Sequence, residues 1–168
     1  MSRFRNKRII QLMAILPLFK KGKKMKRYEA RNAVIKEMRA LCPEVEVRET
    51  FYSPAWGGEA QYSIRHNEQR INDLIIYVDL ENKLSSVSVE VLRVAIALRK
   101  NILPPFHHDL KFKSIYGKEY FYLNGKQISN NLGHALLNCS DLKISVIGRE
   151  GVPNTSAIHG IVCKIEGV

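Results

Sequence analysis

The sequence predicts an α+β domain, in which a mainly antiparallel sheet packs against one or two helices, with a flexible basic N-terminal arm in front. Three observations lead there. Segments of strand composition recur through the chain, several with apolar residues at alternate positions. Two stretches instead space their apolar residues as a helix does. The two kinds do not alternate as regular βαβ units, which points away from a parallel sheet. A length of 168 residues suits one domain with a tail, and 45% apolar content suits a folded core.

The segment 71–100 is the one the rest is built around. Residues 71–80, Ile-Asn-Asp-Leu-Ile-Ile-Tyr-Val-Asp-Leu, are β-branched and aromatic and read as a buried strand. After a polar break at 81–86, residues 87–100 read as a helix with a narrow wet stripe at Glu90, Arg93 and Lys100. Val87, Val89, Val91, Leu92, Val94, Ala95, Ile96 and Leu98 make up most of the rest, so this helix should be covered on most sides. Ser85 or Ser86 can cap it, and Glu90 suits the positive end of its dipole. Arg99 and Lys100 suit the negative end, and Pro104-Pro105 forbids continuation.

Before this unit, residues 28–41 read as a helix with Ala30, Val34, Met38 and Leu41 on one face, ended by Cys42-Pro43. Residues 45–52 and 60–64 read as strands. The intervening loop, 53–58, holds the single Trp, and the expectation is that Trp56 pins that loop to the core. The alternative is a ligand contact or an interface anchor. Residues 66–70 read as a turn into the central strand.

After it, residues 101–106 are extended by their prolines, and 110–116, 119–123 and 126–129 form an antiparallel meander. Asn124-Gly125 is its firmest signal, because a type I′ turn needs positive φ at both positions. Residues 130–138 suit a short helix. Residues 142–146 alternate with Leu142, Ile144 and Val146 inward, 148–156 read as loop, and Ile161, Cys163 and Ile165 mark a last strand.

The formal charge is +11, and its placement is uneven. Residues 1–27 hold ten Lys or Arg and no acid: Arg3, Arg5, Lys7, Arg8, Lys20, Lys21, Lys23, Lys24, Lys26 and Arg27. Residues 28–168 hold seventeen basic and sixteen acidic residues. This divides the chain into a basic amphipathic or disordered arm, 1–27, and a single α+β domain, 28–168. A detachable cationic arm suits phosphates, either of nucleic acid or of anionic lipid heads. The apolar run within it, residues 9–19, is too short to span a bilayer. Lys20-Lys-Gly-Lys-Lys-Met-Lys-Arg27 follows it in place of a small-residue cleavage site, so secretion is not expected. The arm is open to three readings: a segment lying on a membrane, a serine-poor mitochondrial presequence, or a disordered basic tail.

Nothing in the sequence has catalytic spacing. Cys42, Cys139 and Cys163 are odd in number and far apart, without a CxxC pair, and read as small core residues in a reducing compartment. His107-His108-Asp109 is the one dense set of possible metal ligands. Neighbours in a strand point to opposite faces, so a site would need His66, His134 or His159, and the plainer reading is two loop residues ahead of a strand. No metal, cofactor or catalytic residue is expected. Asp73 and Asp79 share a strand face but lie about 20 Å apart, too wide for paired acid–base work. Tyr120 and Tyr122, with Phe121 in the core and Lys111, Lys113, Lys118 and Lys126 nearby, could stack RNA bases, although hairpin aromatics more often pack against each other.

The order of these pieces resembles that of rhabdovirus matrix proteins, particularly the short ones of plant viruses. The Lys-rich opening, 19–27, matches their mobile arm, and 73–80, 87–100, 110–123 and 142–147 match the strand, polar turn, apolar helix, short strands and late strand of their core. The likeness covers about two thirds of the chain. Those proteins often carry Pro-Pro-x-Tyr in the arm; here Pro104-Pro105-Phe106-His107 lies elsewhere and ends in His, so recruitment of host budding machinery is not carried over. The resemblance implies a non-enzymatic structural protein of the virion, acting in the host cytoplasm and at the inner membrane surface. Its partners would be the viral nucleoprotein–RNA complex, an anionic membrane surface and further copies of itself. Each arm Lys near an anionic membrane would contribute about 1 kcal/mol. The alternative is a basic-tailed RNA-binding accessory protein of ribosomal or organellar type.

Overall fold

The computed structural model describes residues 25–81, 83–151 and 158–167. Eight of the arm's ten basic residues, Arg3 to Lys24, lie outside the described residues. The chain runs α1 (Arg27–Leu41), β1 (Glu46–Ser53), β2 (Glu59–His66), β3 (Gln69–Tyr77), α2 (Val78–Glu81), α3 (Leu84–Asn101), β4 (His107–Ile115), β5 (Lys118–Leu123), β6 (Lys126–Ile128), α4 (Asn130–Asn138), β7 (Leu142–Gly151) and β8 (Ile158–Gly167). This is an α+β fold, as the sequence predicts.

The strands form two antiparallel sheets where one was expected, one ordered β1-β2-β3 and the other β6-β5-β4-β8-β7. The helices lie between them: α1 packs on β1, α4 on β5, and α3 on α1, α4, β3 and β8. One continuous core joins the layers, from Ala30, Val34, Met38 and Leu41 of α1 through Val87, Val91, Val94, Ala95 and Leu98 of α3 to Leu110, Phe121 and Ile165 of the larger sheet. The α1 face is the one its spacing predicts. At Gly133, α4 passes β5 with no room for a side chain. A Cβ on Gly133 would overlap the Phe121 ring, which is itself held between Phe112 and His134 at 5.1 Å each.

Several boundaries differ from expectation for local reasons. Met25, the first described residue after the arm's start, is 4% exposed, so Lys26 and Arg27 stand at the head of a packed helix. Lys26 is the N-cap of α1. Arg27 Nε donates to Glu49 at 3.0 Å and its guanidinium lies 4.2 Å from the Tyr52 ring. Strand β3 stops at Tyr77 and is an edge of its sheet; β2 is the centre. The N–H groups of Val78 and Asp79 donate to Gly58 and Gly57, at 3.1 and 2.9 Å, and wind residues 78–81 off the sheet. Asp79 therefore does not share a strand face with Asp73. Helix α3 starts three residues early, with Lys83 at its N-cap and neither Ser85 nor Ser86 there. Glu90 consequently lies beyond the first turn and pairs with Arg93. Val89 falls on the wet side, 57% exposed. Trp56 is 73% exposed, so the loop is not anchored by it. Leu80, which lies against Gly57, is just as exposed.

In the larger sheet, His107 and His108 are strand residues of β4, not loop. β7 continues to Gly151, through residues expected as loop, with an irregularity between Val146 and Gly148. Leu142 is buried as predicted, but Val146 is 56% exposed because this is an edge strand that the helices do not reach. The Asn124-Gly125 turn has the expected positive φ, 50° and 82°. Cys42 and Cys163 are buried and Cys139 is half-buried, all three as free thiols.

The junction of the layers is Arg99, buried near the end of α3. Its Nη2 donates to the Leu41 carbonyl at 2.8 Å and to Glu44 at 3.0 Å; its Nη1 donates to Glu44 at 2.8 Å and to the Pro104 carbonyl at 3.1 Å. The guanidinium also lies 5.4 Å from the Phe106 ring. Burial tends to raise the Glu44 pKa, but the Arg99 hydrogen bonds, its own N–H and the Arg99 charge hold it below the usual carboxylate range. Nearby, burial and the Arg99 charge hold His108 below the ordinary imidazole value.

Two outcomes follow for stability. Gly133→Ala should destabilise the protein by about 1–3 kcal/mol, since the ring it meets cannot yield; urea denaturation measures this. Acid should act in two stages. Below about pH 6.5 the unfolded chain takes a proton that buried His108 refuses, so stability falls. Below about pH 4.5 the lowered Glu44 carboxyl adds a second loss, since its stabilisation is complete only above its unfolded pKa. His108→Asn should flatten the first stage and leave the second, read from urea midpoints at pH 7.5, 5.5 and 4.

Candidate nucleic-acid interface

The larger sheet has one face on the helices and one on solvent, and strand alternation decides which side chains go where. Leu110, Phe121, Leu123, Cys163 and Ile165 point to the helices and are buried. On the other face, cross-strand register sets Lys111 between Tyr122 and Val162, and Lys113 between Tyr120 and Gly160. Gln127 of β6 stands opposite Tyr122. Lys111, Lys113, Tyr120, Tyr122 and Val162 are half-buried, as side chains are that lie along an open sheet. No helix of the described residues packs on this face.

The face is divided by charge. Toward β7 each cation has an acidic neighbour: Lys164 opposite Asp109, Lys143 opposite Glu166, and Lys111 in an ion pair with Glu150 at 2.8 Å. That pair and Lys113 hold the Glu150 carboxyl below its usual range, chiefly through the Lys111 hydrogen bond. Toward β6 the tyrosines stand with Lys113 and Lys118, and Lys113 Nζ lies 5.8 Å from the Tyr122 ring. A shallow depression of about 370 Å³ lies across the strands, lined by Asp109, Lys111, Lys113, Tyr122, Ile147 and Val162. Ile147 reaches it from the β7 irregularity and is 60% exposed. This arrangement offers accessible ring faces and long-stemmed cations side by side, the two elements by which single strands are held without base-pair reading.

The other sequence candidates are not drawn together. His107 and Asp109 point outward from β4 while His108 is buried, with Nδ1 2.6 Å from the Asn124 amide. His134 is bonded to Glu119 at 2.8 Å on α4, and His66 is in the other sheet. Among the described residues no three His, Cys, Asp or Glu side chains are placed to hold a metal. Asp73 is in an ion pair with Arg70. Of the predicted cationic contacts, Lys26 and Arg27 are at the start of α1, Arg27 already engaged with Glu49; the rest of the set lies outside the described residues. No helix among the described residues is long and apolar enough to cross a membrane. No family model, curated protein or solved structure matches this chain.

Tyr120, Tyr122, Lys111 and Lys113 are within reach of the sequence, because period-two alternation around Phe121 is local. Ile147 and Val162 are not, since their place depends on the β7 irregularity and on the pairing of β4 with β8. Because the face is open, its rings are accessible. Tetranitromethane should nitrate Tyr120, Tyr122 and the 78% exposed Tyr116 in the native protein and leave the fully buried Tyr62 unmodified, as peptide mass spectrometry will show.

Proposed function

We propose that this chain is a non-enzymatic RNA-binding structural protein. The Tyr120–Tyr122 face receives the bases of a single strand, and the arm adds phosphate contacts. The observation that carries this reading is the uncovered sheet face on which Tyr122 and Tyr120 stand opposite Lys111, paired with Glu150, and Lys113. The eight Lys and Arg of residues 1–24 supply charge that the nearly neutral domain lacks. Packaging of a nucleoprotein–RNA complex, the role implied by the rhabdovirus matrix resemblance, is one setting for such a protein, with the arm shared between RNA and an anionic membrane and with copies of the chain self-associating. A ribosomal or organellar accessory role is another.

The test is fluorescence anisotropy of a single-stranded RNA dodecamer with the full chain. Tyr120→Ala with Tyr122→Ala should weaken binding by at least about 30-fold, since stacking contributes roughly 1–3 kcal/mol per base. Replacing Lys20, Lys21, Lys23 and Lys24 by Gln should reduce the salt slope by about 0.7 for each phosphate that is no longer neutralised. Undiminished affinity in the tyrosine variant overturns the sheet-face reading. Binding to phosphatidylserine vesicles with none to RNA would leave the membrane role alone.

A further inference from the structure

A second concavity lies next to this face, on the far side of β6. It is a groove of about 400 Å³ between α1 and the turn from β6 into α4. Its apolar floor is formed by Ile35, Ala40, Ile128 and Leu132. Its rim carries Lys36, Arg39 and Lys126, all exposed and none in an ion pair among the described residues. The one acid in its wall is Glu37, only 4% exposed. Glu37 Oε1 accepts from Ser88 Oγ at 2.7 Å and Ser129 Oγ at 2.8 Å, while Oε2 has no partner. An unused carboxylate oxygen at a buried position is costly to leave unpaired.

These features specify a ligand by its chemistry. The apolar floor suits a flat body, the free carboxylate oxygen suits an N–H donor on it, and the three rim cations suit an anion. A nucleotide whose base bears an exocyclic amine has all three, and a carboxylate accepting from cytosine N4 is an established pairing. A lipid without an amine in its head would set an acyl chain or an anionic head against the carboxylate, which the free oxygen disfavours. The groove also continues the proposed RNA face. Gln127 lines it, yet the same residue pairs across the ladder with Tyr122. A strand lying on Tyr120 and Tyr122 needs to cross only β6, one strand spacing of about 4.8 Å, to enter it.

We propose that this groove takes one unstacked nucleotide of the bound strand, with its base amine donating to Glu37 Oε2 and its phosphate on Lys36, Arg39 and Lys126. It thereby favours cytosine, adenine or guanine over uracil, whose N3–H donor is flanked by two carbonyl oxygens that the carboxylate repels. The inference rests on the RNA-binding reading above for the source of that nucleotide, but the groove is assayed separately with mononucleotides, which need no sheet face.

The experiment titrates the full chain with CMP and with UMP, followed by backbone amide shifts and calorimetry. CMP should perturb residues 36–40 and 126–132 and bind about 10-fold more tightly than UMP, the effect of one buried polar group left unpaired. Glu37→Gln keeps an oxygen for both serines but presents a donor where Oε2 stood, so the preference for CMP should vanish or reverse. Arg39→Glu and Lys126→Glu, both exposed and harmless to the core, should weaken CMP and UMP alike. Equal binding of CMP and UMP, an unchanged preference in Glu37→Gln, or shifts elsewhere would overturn the groove. So would perturbation of these residues by phosphatidylglycerol vesicles and not by CMP. The two readings fail differently. An oligonucleotide that needs Tyr120 and Tyr122 but ignores Arg39→Glu removes the groove and keeps the face; CMP seated in the groove, with an oligonucleotide indifferent to the tyrosines, removes the face and keeps the groove.

Discussion

The architecture depends on one buried cation. Arg99 ends the apolar helix α3 inside the protein, where an unpaired charge would cost several kcal/mol. It is tolerated because three separate parts of the chain turn acceptors toward it: the last carbonyl of α1, the Glu44 carboxylate just before β1, and the Pro104 carbonyl on the approach to β4. The first is also the negative end of a helix dipole, which favours a cation there. One guanidinium thus fixes where α1 ends, where the smaller sheet begins and where the larger sheet starts. Its planar fork suits this task, and a lysine's point charge could not serve three directions in one plane.

The outer face of the larger sheet follows from that anchorage. Once Phe106 is held under Arg99, β4 enters the sheet with His108 and Leu110 inward, and alternation leaves no choice about Lys111 and Lys113. The Asn124 turn then fixes β5 in register. Its side-chain oxygen accepts from the Asp109 N–H at 2.9 Å, and its own N–H donates to the Asp109 carbonyl at 2.9 Å. Tyr120 and Tyr122 are therefore placed by backbone bonds, with Lys113 beside the Tyr122 ring. The groove beside β6 is built from the same materials. Ser129 caps α4 by accepting from Leu132 N–H and at the same time donates to Glu37 of α1, so a helix cap doubles as part of the groove wall.

What can be read from the sequence is what depends on near neighbours. The buried face of α1, the Asn124-Gly125 turn, the extent of α4 and the inward set of β8 are all period or turn effects within about ten residues, and these agree with the structure. Contacts between distant parts are not legible. Arg99 has an adequate local reason to be at a helix end, and its partner Glu44 is 55 residues away. Trp56 looks like an anchor because it is large, but it stands in solvent, and the loop is tied instead by backbone bonds from Val78 and Asp79 to Gly58 and Gly57. The β7 irregularity falls just before Gly148, and a glycine there reads as the end of a strand as readily as a bulge within one. Glu37 reads as one more charge on a helix surface until Ser88 and Ser129 are seen beside it.

Helix α3 serves both sheets at once. It packs on β3 on one side and on β8 on the other, and Val87, Val91, Leu92, Val94, Ala95 and Leu98 leave it almost no bare flank. Neither half of the molecule is therefore a module. A fragment stopping after residue 101 would carry an oily strip where the second sheet had lain. One beginning at residue 107 would have a sheet with nothing against its inner surface. Both would clump, so any surgery intended to isolate an activity has to be done by point substitution within the intact chain.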